Sequence, residues 1–147
     1  MKTLFDEHAR GGILARVERL GPDSRPVWGK MNVEMMLAHL VASMRMASGE
    51  LVVKPKNTPI RFPPLRQLLV YVLPWPKGVP TAPELMPSDR GTVEVNKREL
   101  AQLIRLVGER GAQRQWPAHP AFGNLGRRGW GVLTWRHLDH HLRQFGV

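Results

Sequence analysis

Apolar residues recur at helical spacing in four stretches of this chain. From Thr3 to Leu20, Leu4, Phe5, Ile13, Leu14, Val17 and Leu20 predict a first helix. Gly11-Gly12 weakens it near its middle and Gly21-Pro22 ends it. The second stripe is stronger: Val33, Met36, Leu37, Leu40, Val41 and Met44. Asn32 suits its N-cap, Glu34 lies in the first turn where a carboxylate complements the helix dipole, and Ser48-Gly49 closes it near Met46. A third stripe of Leu100, Leu103, Ile104 and Val107 follows Asn96 as expected N-cap, with Glu99 at capping-box spacing and Gly111 as terminator. The last helix is predicted from about Trp130 to Phe145.

Between the second and third stripes the periodicity lapses. Nine of the 13 prolines fall between Pro55 and Pro87. Proline fixes φ and removes a donor, so residues 50 to 95 are expected to form a long, mostly irregular connection. One short helix is expected inside it, from about Pro64 to Leu73. Such a connection either covers a functional site or wraps rigidly over one end of the fold, and the pattern favours neither. Four main helices and one long proline-rich crossover with a short extra helix predict an all-α four-helix bundle, residues 1–147 forming a single domain.

Composition narrows the chemistry. The chain has no cysteine, which excludes disulfides, thiolate metal ligands and a cysteine nucleophile. Any metal must be held by nitrogen and oxygen, and any thiol must arrive as a second substrate. The N-terminal segment turns charged too early for a signal peptide, and the most apolar stretch, Leu65 to Trp75, is too short to span a bilayer. A cytoplasmic protein without a membrane partner is expected. The net charge of +10 raises the question of nucleic acid, but the arginines are scattered from Arg10 to Arg143 with no basic run. A solvated basic surface is the simpler reading; a cationic cavity mouth that attracts acidic substrates is the other.

The histidines carry the candidate site. On a wheel of about 100° per residue with His137 at zero, His141 falls near 40°, Trp130 near 20° and Phe145 near 80°. Arg136, Asp139 and Arg143 occupy about 200° to 260°, the expected solvent side. His137 and His141 therefore share the core-facing stripe, and two imidazoles four apart can ligate one ion. Packed core histidines bonded to backbone or water are the competing reading. For a pair of neighbours, four ring nitrogens need partners and a shared cation answers one on each ring, which favours metal. His39, on the edge of the second stripe, can complete a three-histidine site with one coordination position open. His140 falls on the flank near 300°, beside the pocket rather than in the ligand set, and Gln144 near 340° either meets a bound species or caps core polarity. His119, in HPAFG, lines a pocket mouth as an acid or base or is a surface turn residue. His8 is expected in solvent.

These residues also carry a resemblance. WGKMNVEMMLAHL, Trp28 to Leu40, resembles the Trp/Met-then-His helix of the DinB-like (DinB/YfiT-like) metalloenzyme superfamily. HLDHHLRQF is similar to its terminal H-x-x-x-H-x-x-Q pattern, here His137, His141 and Gln144, and HPAFG resembles an uncharacterised branch. The resemblance implies a four-helix bundle, often dimeric, with one divalent metal ion, zinc or nickel, on His39, His137 and His141. It further implies a metal-dependent transferase that joins a low-molecular-weight thiol cosubstrate such as bacillithiol, mycothiol or glutathione to a small-molecule substrate. A homodimer is the expected assembly. The alternatives are a non-catalytic metal-stabilised bundle or partner-binding protein and, on charge alone, a nucleic-acid-binding protein.

Overall fold

The computed structural model describes residues 1–78, 81–113 and 115–147. Among them the chain is all-helical, with five α-helices and no strand. Helix α1 is Glu7–Glu18, α2 Val33–Ser48, α3 Leu65–Gln67, α4 Val93–Glu109 and α5 Gly126–Gln144. None is long and apolar enough to cross a membrane.

Helix α2 begins and ends as its sequence directs. The Asn32 side chain accepts the Met35 N–H at 2.8 Å, and Gly49 closes the helix at φ 84°, a left-handed conformation that glycine adopts without steric cost. Helix α1 starts later than expected. Asp6 is its N-cap, while Leu4 is fully buried and donates its N–H to the Gly131 carbonyl of α5 at 2.9 Å. The first residues therefore dock on α5 instead of extending the helix. Gly11 and Gly12 lie on the exposed face and do not interrupt it.

Helix α4 corrects the expected cap. Thr92, not Asn96, accepts the Val95 N–H, at 3.3 Å. Asn96 lies one turn inside the helix, buried, donating its amide to the Arg90 carbonyl, and Glu99 pairs with Arg45 of α2. Burial of Val93 explains the shift: an apolar residue three positions before Asn96 gains more inside a helix against the core than in a solvated lead-in. The far end continues as a 3₁₀ turn, Arg110–Ala112, rather than stopping at Gly111. Helix α5 likewise starts one turn before Trp130.

Helix α2 packs most extensively on α4, α1 contacts α4 and α5, and α5 closes back on α2. Met36, Leu37, Leu40, Met44, Leu100, Ile104, Leu138 and Leu142 fill the space between them and are almost fully buried. Lys97 is buried at the edge of this core. Its ammonium donates to the Glu18 and Leu20 carbonyls at 3.1 and 2.7 Å, the C-terminal end of α1 where unpaired carbonyls and the helix dipole favour a cation. Replacing Lys97 by methionine keeps the stem and strands these carbonyls. A loss of about 1–3 kcal/mol is expected, read as a lowered urea midpoint with unchanged slope.

The crossover carries 3₁₀ turns at Pro59–Arg61 and Pro83–Leu85, and α3 runs directly into a π-helical turn, Leu68–Val72. This is the expected short helix. Arg136, expected in solvent, instead fastens it: its guanidinium donates to the Leu69 carbonyl at 3.1 Å, to Val70 at 2.6 Å and to Leu73. The last carbonyls of a helical turn have no partners within it, and the five donors of a guanidinium suit them. Asp139 also departs from the expected solvent position, pairing with Arg16 of α1 at 2.6 Å and Arg143 at 3.1 Å with 15% of its side chain exposed. A single-helix wheel does not know that the crossover and α1 cover this side of α5.

Candidate metal centre

His39 stands in the middle of α2, and His137 and His141 stand one turn apart on α5. The three ring centroids are 4.9 Å apart in every pair, and each ring offers a nitrogen within 4.8 Å of the others. His39 and His141 are buried; His137 is half-buried, enclosed by protein except on its cavity side.

The hydrogen bonds behind the rings decide which nitrogens face the cluster. His39 Nδ1 lies 3.0 Å from the Leu85 carbonyl, which only accepts, so the proton sits on Nδ1 and Nε2 keeps its lone pair. Gln144 donates its amide N–H to the Trp28 carbonyl at 3.0 Å, which leaves Oε1 as acceptor for His141 Nδ1–H at 2.8 Å. His141 Nε2 is therefore also a free lone pair. His39 Nε2 and His137 Nε2 lie 3.0 Å apart. Convergent lone pairs repel unless a proton or cation stands between them, and outer hydrogen bonds of this kind hold imidazoles for metal ligation.

Electrostatics agree with that geometry. Burial, only partly opposed by the Leu85 bond, lowers the His39 pKa. Burial, then the neighbouring imidazoles beginning with His141, holds His137 well below the usual histidine value. Burial, then His39, pushes His141 down to about 3. All three rings are neutral at physiological pH, the form that binds metal.

The cluster opens into a cavity of about 800 Å³. Ile60, Leu69, Trp75, Ala82, Leu85 and Met86 of the crossover form one wall, so the connection covers the site rather than merely an end of the fold. Trp75 packs its ring 5.6 Å from His137 and 6.1 Å from His140 and donates its indole N–H to Leu69. His140 lies on the flank, between Trp28 and Trp75, outside the group of converging nitrogens; burial lowers its pKa. His119 lines the cavity on the opposite loop and is not a free surface residue. His8 is exposed.

Several contributors carry no sequence signal. The Leu85 carbonyl is a backbone group in a proline-rich segment, and the tryptophans read equally well as core anchors. Gly29 is the exception in hindsight. It has φ 82°, and a Cβ there would meet the Gln144 amide nitrogen at 2.6 Å. Gly29→Ala both strains the backbone and displaces the residue that orients His141. Zinc affinity is expected to fall by about 10–100-fold, as for loss of an outer partner, read by competition with a chromogenic chelator.

A family described as "Protein of unknown function (DUF1569)" matches residues 7–146, a span that includes all five helices and every residue of the site. No curated protein and no solved structure matches the chain. The chain thus belongs to the DUF1569 family.

Proposed function

We propose that this protein is a metal-dependent enzyme in which His39, His137 and His141 bind one divalent ion, zinc or nickel, and that it is a thiol-dependent S-transferase of the DinB-like kind built on a four-helix bundle. The observation that carries the reading is the pair of locked tautomers: Leu85 and Gln144 leave two Nε2 lone pairs aimed at one point beside His137, on the wall of an open cavity. A structural ion is expected in a sealed site with a full set of protein ligands, and an open side favours catalysis. A bound divalent ion supplies a Lewis acid that lowers the pKa of a thiol or water in the cavity.

The chain's own residues do the rest. Leu85 and Gln144 fix the His39 and His141 imidazoles before any ligand arrives, which removes a reorganisation cost. Trp75, Leu69 and Met86 wall off bulk water on the crossover side. Lys30 and Lys56 line the same cavity, and no aspartate or glutamate does among the described residues. In the transfer, the thiol proton leaves to solvent, sulfur forms the bond to an electrophilic carbon, and the carbon's leaving group departs with its electron pair.

The test has two stages. Protein purified without chelator is expected to contain about one zinc or nickel per chain by elemental analysis. The same protein is expected to accelerate conjugation of glutathione, bacillithiol or mycothiol to a haloaromatic or halobimane electrophile, and to lose that activity on dialysis against chelator. Absence of a stoichiometric ion, with no thermal shift on adding either metal, overturns the metal site. A bound ion without thiol-dependent turnover overturns the transferase and leaves a metal-stabilised bundle.

A further inference from the structure

His119 lines the cavity away from the cluster, and its surroundings specify it closely. Its Nδ1 accepts two backbone N–H groups, from Ala121 at 3.1 Å and Phe122 at 3.2 Å. Its own N–H and carbonyl pair with those of Gly123, both at 2.8 Å, and Gly123 takes φ 68° to close the turn. The ring lies 5.0 Å from Phe122 and 5.3 Å from Trp130, centroid to centroid. Position, tilt and tautomer are all set. A nitrogen that accepts two donors carries the lone pair, so the ring proton is on Nε2. Nε2–H has no protein partner among the described residues and is not sealed from solvent, and the ring lines the cavity. Burial pushes the His119 pKa down to about 4, so the ring is a neutral donor near pH 7.

The same end of the cavity carries a cation. The Lys56 N–H bonds the Pro120 carbonyl at 2.9 Å, which ties Lys56 to the residue after His119, and Lys56 also lines the cavity. No carboxylate lines the cavity among the described residues; the Glu84 carboxylate, which interacts with the Lys56 charge, stands outside the lining, so an anion entering here meets a donor and an ammonium. Much of the remaining wall is apolar and deformable: Met35, Met44, Met46, Met86, Leu133 and Phe122. The volume lies within the range of small-molecule sites.

We infer that the cavity binds a carboxylate with an apolar body, its carboxylate oxygens taking the His119 Nε2–H and the Lys56 ammonium and its aliphatic or aromatic body running along the methionine wall toward the three histidines. This names the substrate class of the site proposed above, and rests on that reading only in taking the cavity as the place where substrate binds. His119 is assigned as a binding residue at the head group, away from the cluster.

The full chain is titrated by tryptophan fluorescence, since Trp28, Trp75 and Trp130 line the cavity, with decanoate, 1-decanol and acetate; zinc affinity is measured in parallel. Decanoate is expected to bind about tenfold or more tighter than 1-decanol, and acetate not detectably. His119→Asn keeps a side-chain oxygen for the Ala121 and Phe122 N–H groups, so the turn survives while the cavity donor is lost. That variant and Lys56→Met are each expected to weaken decanoate about tenfold while leaving 1-decanol and zinc unchanged. Equal affinity of the native chain for decanoate and 1-decanol overturns the inference. So does unchanged decanoate binding in both variants, or an equal loss for decanoate and 1-decanol in His119→Asn. Zinc binding that fails while the decanoate preference holds sinks the metal reading alone, and the reverse result sinks the carboxylate site alone.

Discussion

His39→Ala is expected to abolish the thermal stabilisation that zinc or nickel gives the native chain. A ligand present at a thousandfold over its Kd stabilises a fold by about 4 kcal/mol. For a domain of this size that is on the order of 10 °C in Tm. Removing His39 takes away one of three converging nitrogens and the only one contributed by α2, so the ion would no longer tie α2 to α5. Affinity should fall by more than the 10–100-fold that loss of an outer partner costs. Without metal the same substitution has a smaller effect. Two Nε2 lone pairs, on His39 and His141, crowd the empty cluster, so His39→Ala should cost less in chelator than the truncation of a buried side chain ordinarily does. Differential scanning with and without zinc separates the two. A variant that keeps the full zinc-dependent shift would show that His39 is a packed core histidine and that the ion, if any, binds elsewhere.

The second large effect is loss of stability in mild acid. His39, His137, His140 and His141 are depressed on α2 and α5, and His119 faces the same cavity from its loop. Lys77 further disfavours the charged form of His140, and Asp139 opposes that effect. In the unfolded chain these rings titrate near 6.5. The unfolded state therefore binds more protons below that pH, and stability is complete above about 6.5 and falls as pH drops toward the folded values, about 4 for His119 and about 3 for His141. Each fully buried ring contributes on the order of a few kcal/mol across that window. Urea midpoints measured in chelator should fall steeply between pH 7 and 5, ahead of most carboxylate titration. A midpoint constant over that interval would mean that the rings are solvated in the folded protein. Bound metal adds to the same trend, because protons compete for the ligating nitrogens.

The ligand histidines lie on stripes that the hydrophobic pattern singles out, whereas His119 lies in a loop outside them. The stripes on α2, α4 and α5 and the cap at Asn32 read correctly because local spacing and a local side-chain bond determine them. The inward placement of His137 and His141 followed from the same periodicity. Asn96 satisfies the local capping rule, but burial of Val93 against distant helices decides where α4 begins. A wheel describes one helix and places Arg136 and Asp139 toward solvent, but their partners, the Leu69, Val70 and Leu73 carbonyls and Arg16, lie far away in the chain.

The sequence by itself determined an all-helical chain, the long proline-rich connection, the thiolate-free character of any metal site and the three histidines that form the cluster. Tertiary structure alone decided that the connection roofs the site, that Leu85 and Gln144 lock two tautomers, that Gly29 makes room for Gln144, and that the His119 turn presents a donor to the cavity. The division has a physical cause. Periodicity and capping are encoded within a few residues, whereas a proton's position on a ring is set by whichever carbonyl the fold brings beside it.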